Sequence, residues 1–311
     1  MRIGLIDVDG HNFPNLALMK ISAWHKERGD RVEWWWGDMF YYDKVYKSKV
    51  FSDSYSPDVP DPVNVGDLVK GGTGYAIRLV DGREIYDKSA DRPLPQEMEA
   101  MVPDYSIYPE YNFAVAMTSR GCPRGCAFCH VAAKEGRQSI KVADVSQFWQ
   151  GQKLIECLDP NLLACRDKLD LLEQYAETRA EVNFNQGLDI RLMTDADLQA
   201  INRVRLKKVH FAWDNPADDL IERFRWYAGN AGHKPKGSYG TVYCLTNFED
   251  CSVEDHIQRA LARCYALRDL GYDPYVMIYD KPHAARDIRR LQRYVNNKRI
   301  FNAVLRFEDY L

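Results

Sequence analysis

The clearest pattern along the chain lies in its second half, where short apolar runs alternate with stretches of helical spacing. Strands are expected over residues 113–118, 154–158, 182–186, 208–212, 241–246 and 275–279. Helices are expected between and after them, over 145–153, 166–178, 195–204, 217–228, 253–270 and 284–295. Six strand–helix units in succession imply an α/β fold with a parallel sheet, because antiparallel neighbours do not need a helical crossover.

The first hundred residues carry a weaker version of the same alternation. Residues 2–8 read as a short buried strand, and 15–28 as a helix on which Leu16, Met19 and Ala23 share a face. Gly29 stands just past it, where a helix often ends. Residues 32–36 and 49–52 read as second and third strands, and Gly71, Gly72 and Gly74 mark a turn. Pro93, Pro95 and Pro103 punctuate a linker over 87–103. The expected domains are therefore 1–105 and 106–295, with 296–311 as a short C-terminal extension.

Composition narrows the class. A chain of 311 residues with 46% hydrophobic and 28% charged residues has ample material for one large or two ordinary cores. No apolar run of membrane-spanning length occurs, and the first residues carry no long apolar stretch, so a cytoplasmic protein is expected. The formal net charge of −3 gives no general case for nucleic acid. Residues 1–105 hold 13 Lys and Arg against 18 Asp and Glu, whereas 106–311 hold 29 against 27. Within the latter, Arg286, Arg289, Arg290 and Arg293 form i,i+4 pairs on one helix, which reads as a solvated face before it reads as a nucleic-acid footprint.

The candidate chemistry is concentrated in one loop. Cys122, Cys126 and Cys129 stand at C-x3-C-x2-C spacing, with Phe128 directly before the third cysteine. Thiolates suit zinc or iron–sulfur clusters. A structural zinc site closes with four ligands, commonly in two paired sets, and the sequence offers no second pair. The spacing, the aromatic and the six following units together resemble the radical S-adenosylmethionine (SAM) superfamily, over about residues 110–295.

That resemblance implies a partial (β/α)6 TIM-type barrel. It also implies a [4Fe–4S] cluster held by Cys122, Cys126 and Cys129, with SAM on the fourth iron. His130 then lines the loop, since a fourth protein ligand would block SAM. The implied activity is reductive cleavage of SAM and hydrogen abstraction from an unidentified substrate, with an electron donor such as flavodoxin or ferredoxin. Phe128 would pack near the adenine. The Gly-Gly-Glu motif of many relatives is absent after the second strand, which leaves Asp159 or Asn161 to hold the SAM amino group. Gln186 and Asp189 would meet ribose hydroxyls, and Arg191 the methionyl carboxylate; Asp214 and Asn215 complete the strand-end set. Each of these also suits an ordinary turn or helix cap.

The N-terminal part resembles the Rossmann-like cobalamin-binding domain of some radical SAM enzymes. Asp9 and His11 match its D-x-H motif, with His11 in the place of the cobalt ligand, but Pro14 stands where glycine is expected. Gly71 and Gly72 would approach the corrin's nucleotide tail. A degenerate domain without cobalamin is the expectation, a cobalamin-dependent methyltransferase the alternative. A non-catalytic zinc-binding scaffold is the alternative of another class. Cys157, Cys165, Cys244, Cys251 and Cys264 are expected to be buried thiols, with Cys165 and Cys251 lying nearer to strand ends.

Overall fold

In the computed structural model, which describes residues 1–10, 12–80, 83–235 and 239–310, the chain divides into two units. One is Met1–Val115 with Ser146–Gln150, the other Ala116–Val145 with Gly151–Leu311. The main sheet of each is parallel, so the chain is α/β.

In the first unit, β1 (Arg2–Asp7), α1 (Leu16–Glu27) and β2 (Arg31–Trp34) form one βαβ crossover. Asn15 starts α1 by accepting the Leu18 N–H at 3.2 Å on its side chain. The sheet continues with β3 (Tyr42–Ser48) and β4 (Val65–Gly71) in the order β2-β1-β3-β4. Ile6, Tyr42 and Val45 make its core, against which Val8, Trp35, Val65 and Leu68 pack. The antiparallel pair β5 (Ile77–Val80) and β6 (Arg83–Tyr86) and the single turn α2 (Gln96–Glu99) complete the unit.

Two expectations are corrected here. The third strand is β3 rather than 49–52, and β4 follows as a fourth. β3 was hidden by Lys47, which is buried at 1% exposure and reads as polar in the sequence; Lys49, just past the end of the strand, is equally buried. Lys47 Nζ pairs with Asp58 at 2.8 Å and Asp61 at 2.6 Å, and Lys70 Nζ reaches the same two carboxylates. Lys49 pairs with Asp53. These partners, all on the loop after β3, are what make the burial of ammonium groups tolerable.

The same network makes a pH prediction. Burial pushes the Asp58 carboxyl up, but Lys47, Tyr75 and Lys70 outweigh it and hold it down at about 2. A carboxyl depressed on folding stabilises above its unfolded value and loses that stabilisation as pH falls through its folded one. Asp58→Asn is therefore expected to cost about 2 kcal/mol at pH 7. In thermal unfolding of the full chain the gap to wild type should close between pH 4 and pH 2.

The cobalamin-like features find other uses. Asp9 accepts the Val50 and Phe51 N–H groups at 2.6 and 3.3 Å, holding the loop after β3. Gly72 has φ +98°, and a Cβ there would collide with the Lys49 carbonyl, so this glycine serves the chain's own packing. Of the three parallel connections in the sheet, only β1–β2 carries an α-helix among the described residues. His11 lies outside the described residues.

The second sheet begins at β7 (Ala114–Ala116). After it come β8 (Ser119–Arg120), α3 (Val131–Glu135) and β9 (Ile140–Lys141), with β8 and β9 pairing antiparallel across the cysteine loop. Then β10 (Leu154–Cys157), α4 (Lys168–Glu177), β11 (Glu181–Leu188), α5 (Asp195–Arg203), β12 (Leu206–Ala212) and α6 (Ile221–Asn230) alternate. The series ends with β13 (Gly240–Thr246), α7 (Val253–Asp269), β14 (Asp273–Ile278), α8 (Arg286–Asn296) and α9 (Lys298–Ala303). The strand order is β14-β13-β12-β11-β10-β7, each strand beside its neighbour in sequence.

One face of this sheet is a core face. Ile155 and Cys157, Val182 and Phe184, Val209 and Phe211, Val242 and Cys244, and Val276 and Ile278 are all buried. The helix expected over 145–153 is a correction: only the 3-10 turn Val145–Gln147 forms. Residues 146–150 instead belong to the first unit, where the Phe148 carbonyl accepts the Tyr105 hydroxyl at 2.8 Å and its ring lies under Lys20 Nζ at 5.3 Å.

At the C-terminal end, residues 298–310 fold back onto α8. Arg290 donates to the Tyr310 carbonyl and lies over the Phe307 ring at 4.6 Å, while Arg286, Arg289 and Arg293 are exposed. No helix among the described residues is long and apolar enough to cross a membrane.

Candidate functional site

The cysteine loop is anchored by Asp159, at the end of β10. Its carboxylate is only 3% exposed and accepts the Thr118 N–H at 3.1 Å, the Thr118 hydroxyl at 2.8 Å, the Ser119 N–H and the Cys157 thiol at 3.0 Å. Asp159 is thus occupied by the backbone that enters the loop, and is not free for a ligand's amino group as the sequence suggested. The loop's neck is closed by Glu135, which accepts the Gly121 N–H at 3.0 Å and pairs with Arg120 at 3.3 Å. Cys122 donates its N–H to the Gly136 carbonyl at 3.1 Å. Gly121 has φ +89°, and a Cβ there would strike the Gln138 carbonyl, so only glycine lets the two sides of the neck approach.

Asn161 reaches the cysteines directly. Its Nδ2 donates to Cys122 Sγ at 3.4 Å, within range for a bond to sulfur. Its Oδ1 is shielded from solvent and has no hydrogen-bond partner among the described residues. A buried amide oxygen without a donor costs free energy until one is supplied, and here it stands beside the first cysteine.

A second link comes from the end of β11. Arg124, in the loop, approaches Asp189 Oδ2 at 3.4 Å, and Arg191 binds Asp189 Oδ1 and Asp218 Oδ2, each at 2.6 Å. Arg191 is therefore taken by two carboxylates, whereas Asp189 keeps a shielded Oδ2 that meets Arg124 as an ion pair but has no hydrogen bond among the described residues. Gln186 is exposed, and its side chain makes no hydrogen bond among the described residues. It lies in an irregularity of β11, where Gly187 has φ +93° and the register against β12 shifts.

Beyond the loop is a cavity of about 260 Å³. Cys126 and Phe128 line it from the loop, Asp214 and Asn215 from the end of β12, and Phe248 and His256 from beyond β13. Phe128 and Phe248 meet edge to face at 5.4 Å. Asn215 caps its own turn, accepting the Ala217 N–H at 3.0 Å. Asp214 accepts the Leu245 N–H at 3.1 Å, and its carboxyl is pushed up to about 6, by burial first; that N–H, Arg263 and Arg191 offset part of the effect.

Arg263 is the residue that the sequence did not single out. It is buried on α7 and donates to the carbonyls of Trp213, Asp214 and Leu245, tying the ends of β12 and β13 together at the cavity. Its signal was its place between Ala260 and Leu267 on a helix face that otherwise buries apolar side chains.

All eight cysteines are free. Burial raises the thiols of Cys126 and Cys129, and in Cys126 the Asp214 and Cys122 charges add to it. No group of three or more Cys, His, Asp or Glu among the described residues stands close enough to hold a metal ion. Cys157, Cys165, Cys244 and Cys264 are buried, while Cys251 is half-buried with its sulfur 3.5 Å from the ring nitrogens of His256.

The structure thus brings the three cysteines, Asn161, Phe128 and Asp214 to one end of the six-stranded sheet. No protein-family model matches the chain, and no curated protein matches it.

Proposed function

We propose that the chain is a radical SAM enzyme, with its cluster on Cys122, Cys126 and Cys129. One observation carries the reading: the C-x3-C-x2-C loop follows the first strand of a six-stranded, sequentially ordered parallel sheet and opens at Cys126 and Phe128 onto a cavity. Sequential order means that every crossover steps in the same direction, which puts the helices on one face and suits a partial (β/α)6 barrel. The chemistry of α/β sheets lies at the strand ends where this loop sits.

The donor set fits the implied groups. Three thiols from one short loop suit three irons and leave a fourth open, and the loop would draw them together on taking up iron and sulfide. Asn161 Oδ1 is the acceptor best placed for the SAM amino group, because it lacks a donor and its own amide already meets Cys122. Phe128 would face the adenine. Asp214 would supply the negative charge that SAM, a sulfonium, calls for. Arg124 and Arg191, braced by Asp189, would position the loop rather than bind ligand. The chemistry supplied by such a cluster when bound is one-electron cleavage of SAM to methionine and a 5′-deoxyadenosyl radical, which takes a hydrogen atom from the substrate.

The two alternatives are less well supported. Asp9 and Gly72 serve the first unit's own backbone, which leaves a cobalamin-dependent methyltransferase without those contacts. A zinc scaffold would need a fourth ligand, and the side chain that meets Cys122 is an amide N–H donor.

The test is 5′-deoxyadenosine formation by protein reconstituted anaerobically with iron and sulfide and reduced with dithionite. Asp214 adds a pH signature. Because its carboxyl is raised to about 6, it is charged only above that pH, so SAM affinity should rise by about tenfold between pH 5 and pH 7. Asp214→Asn should bind SAM more weakly at pH 7 and show a flat profile in titration calorimetry. No 5′-deoxyadenosine from cluster-loaded protein would sink the proposal.

A further inference from the structure

The helix α8 carries positive charge that the fold does not use. Residues 281–299 hold seven Lys and Arg against one acid, Asp287, in a chain whose formal net charge is −3. Ile288, Leu291, Tyr294 and Val295 form the buried stripe of the helix, and Gln292 and Asn296 donate to the Val276 carbonyl of β14 at 3.0 and 3.1 Å. Arg286, Arg289, Arg290 and Arg293 fall within one arc of about 100° that faces away from that stripe.

Of the four, Arg290 is used by the fold, at the Tyr310 carbonyl and the Phe307 ring. Arg286, Arg289 and Arg293 are exposed, and their side chains make no hydrogen bond or ion pair among the described residues. The nearby acids Asp287, Glu308 and Asp309 are exposed too and form no ion pair with them.

This arrangement works against the helix. Like charges three and four residues apart repel. Arg286 also stands in the first turn, where the helix dipole is positive and disfavours a cation. A face kept for solubility mixes both signs. Three free guanidinium groups in line, in steps of about 4.5 and 6 Å along the axis, suit a ligand that carries a row of negative charges.

Two observations choose the ligand. The outward arc of α8 holds no apolar side chain, whereas a stable protein interface has an apolar or aromatic core. A phosphodiester backbone asks only for the cations. The second observation is where the basic run begins. Phe128 and Phe248 line the cavity, and Phe248 meets Tyr279, the residue after β14, edge to face at 5.0 Å. Lys281 comes two residues later, in the 3-10 turn Lys281–His283, and α8 follows. The chain thus passes from the cavity wall directly into the basic helix, whose first turn lies at the cavity end of the sheet. Aromatic side chains beside a basic track are what single-strand sites combine.

From the unpaired arginine row and its start at the cavity wall we infer that α8 binds the phosphate backbone of a single-stranded nucleic acid, which is the substrate class of the cavity. Arg286, Arg289 and Arg293 each take a phosphate. A nucleotide that reacts at the cavity has to be free of a duplex, which is why the strand is single. The inference deepens the proposed function and rests on it for the reaction, whereas the binding needs no cluster.

The test is fluorescence anisotropy of the full chain, reconstituted with iron and sulfide, against a labelled oligouridine of about 12 nucleotides, a duplex of that length and an oligoglutamate of equal charge. Three phosphate contacts on a single strand predict an affinity that falls about 20-fold from about 50 to about 200 mM salt. A chain carrying Arg286→Gln, Arg289→Gln and Arg293→Gln together should bind at least about tenfold more weakly at the lower salt and lose most of that salt dependence. Its Tm should not fall, since the three side chains are exposed and unpaired. Arg203→Gln with Arg225→Gln, exposed on α5 and α6, is the charge control and should bind as wild type. Cys126→Ala should keep its oligouridine affinity, so that a failure of the cluster is distinguished from a failure of this surface. Absence of oligouridine binding at low salt, unchanged affinity in the triple variant, an equal loss in the control, or equal or tighter binding of the duplex or the oligoglutamate would overturn the inference.

Discussion

Cys126→Ala protein, treated anaerobically with iron and sulfide, is expected to take up no stable [4Fe–4S] cluster and to form no 5′-deoxyadenosine. The fall should be to background, well beyond the roughly 10- to 100-fold that losing a supporting residue around a metal costs. Cys126 is the central cysteine of the loop, lines the cavity with Phe128, and lies within electrostatic range of both Cys122 and Asp214. Removing it takes one of the three proposed ligands and leaves the loop's neck, held by Glu135 and Gly121, in place. Circular dichroism should therefore be unchanged while iron content and turnover vanish. Cys165→Ala and Cys251→Ala, outside the loop, are the controls and should keep their iron. Full 5′-deoxyadenosine formation by Cys126→Ala would place the cluster elsewhere.

Asp159→Ala should have the largest effect on stability. Its carboxylate receives four donors in a site of 3% exposure, and all of them lose their acceptor together. Each buried donor left unmet costs about 1–3 kcal/mol, and relaxation recovers part of the sum, so a loss of about 3–5 kcal/mol is expected. For a unit of this size that lowers the Tm by roughly 6–20 °C. Iron uptake should fall with it, because Thr118 and Ser119 fix the entry to the cysteine loop. Asn161→Ala provides the contrast: its amide meets Cys122 and little else of the fold, so SAM affinity should weaken at near-constant Tm. An Asp159→Ala protein as stable as wild type would mean that the loop is held by other contacts.

These two residues illustrate how far the sequence could be read. The later strand–helix units were legible because alternate positions such as Val182 and Phe184 or Val209 and Phe211 are apolar, and because each helix keeps a clear buried stripe. The cysteine spacing was legible because it is local. Asp159 and Asn161 were both legible as strand-end polar residues, but their different uses were not. Asp159 faces Thr118 and Ser119, some forty positions earlier, and no local pattern encodes that contact.

The same limit explains the errors in the first unit. β3 escaped notice because Lys47 reads as a surface residue until its partners Asp58 and Asp61 are seen. The helix expected over 145–153 had helical spacing, but its aromatic Phe148 is used with Tyr105 and Lys20, and Gly151 at φ +95° ends any continuation. Asp189 and Arg191 were singled out as ligand contacts; the structure places them in an ion-pair chain with Arg124 and Asp218, with Asp189 Oδ2 left without a hydrogen bond among the described residues. Arg263 carries the reverse lesson, since one charged residue on an apolar helix face marked the strand ends that it ties.

The most direct measurement is electron paramagnetic resonance of the reconstituted, dithionite-reduced chain, recorded with and without SAM. The proposed function predicts a [4Fe–4S]⁺ signal that shifts when SAM is added and that is absent in Cys126→Ala. A chain that instead holds one zinc ion and never yields a SAM-responsive signal would contradict it.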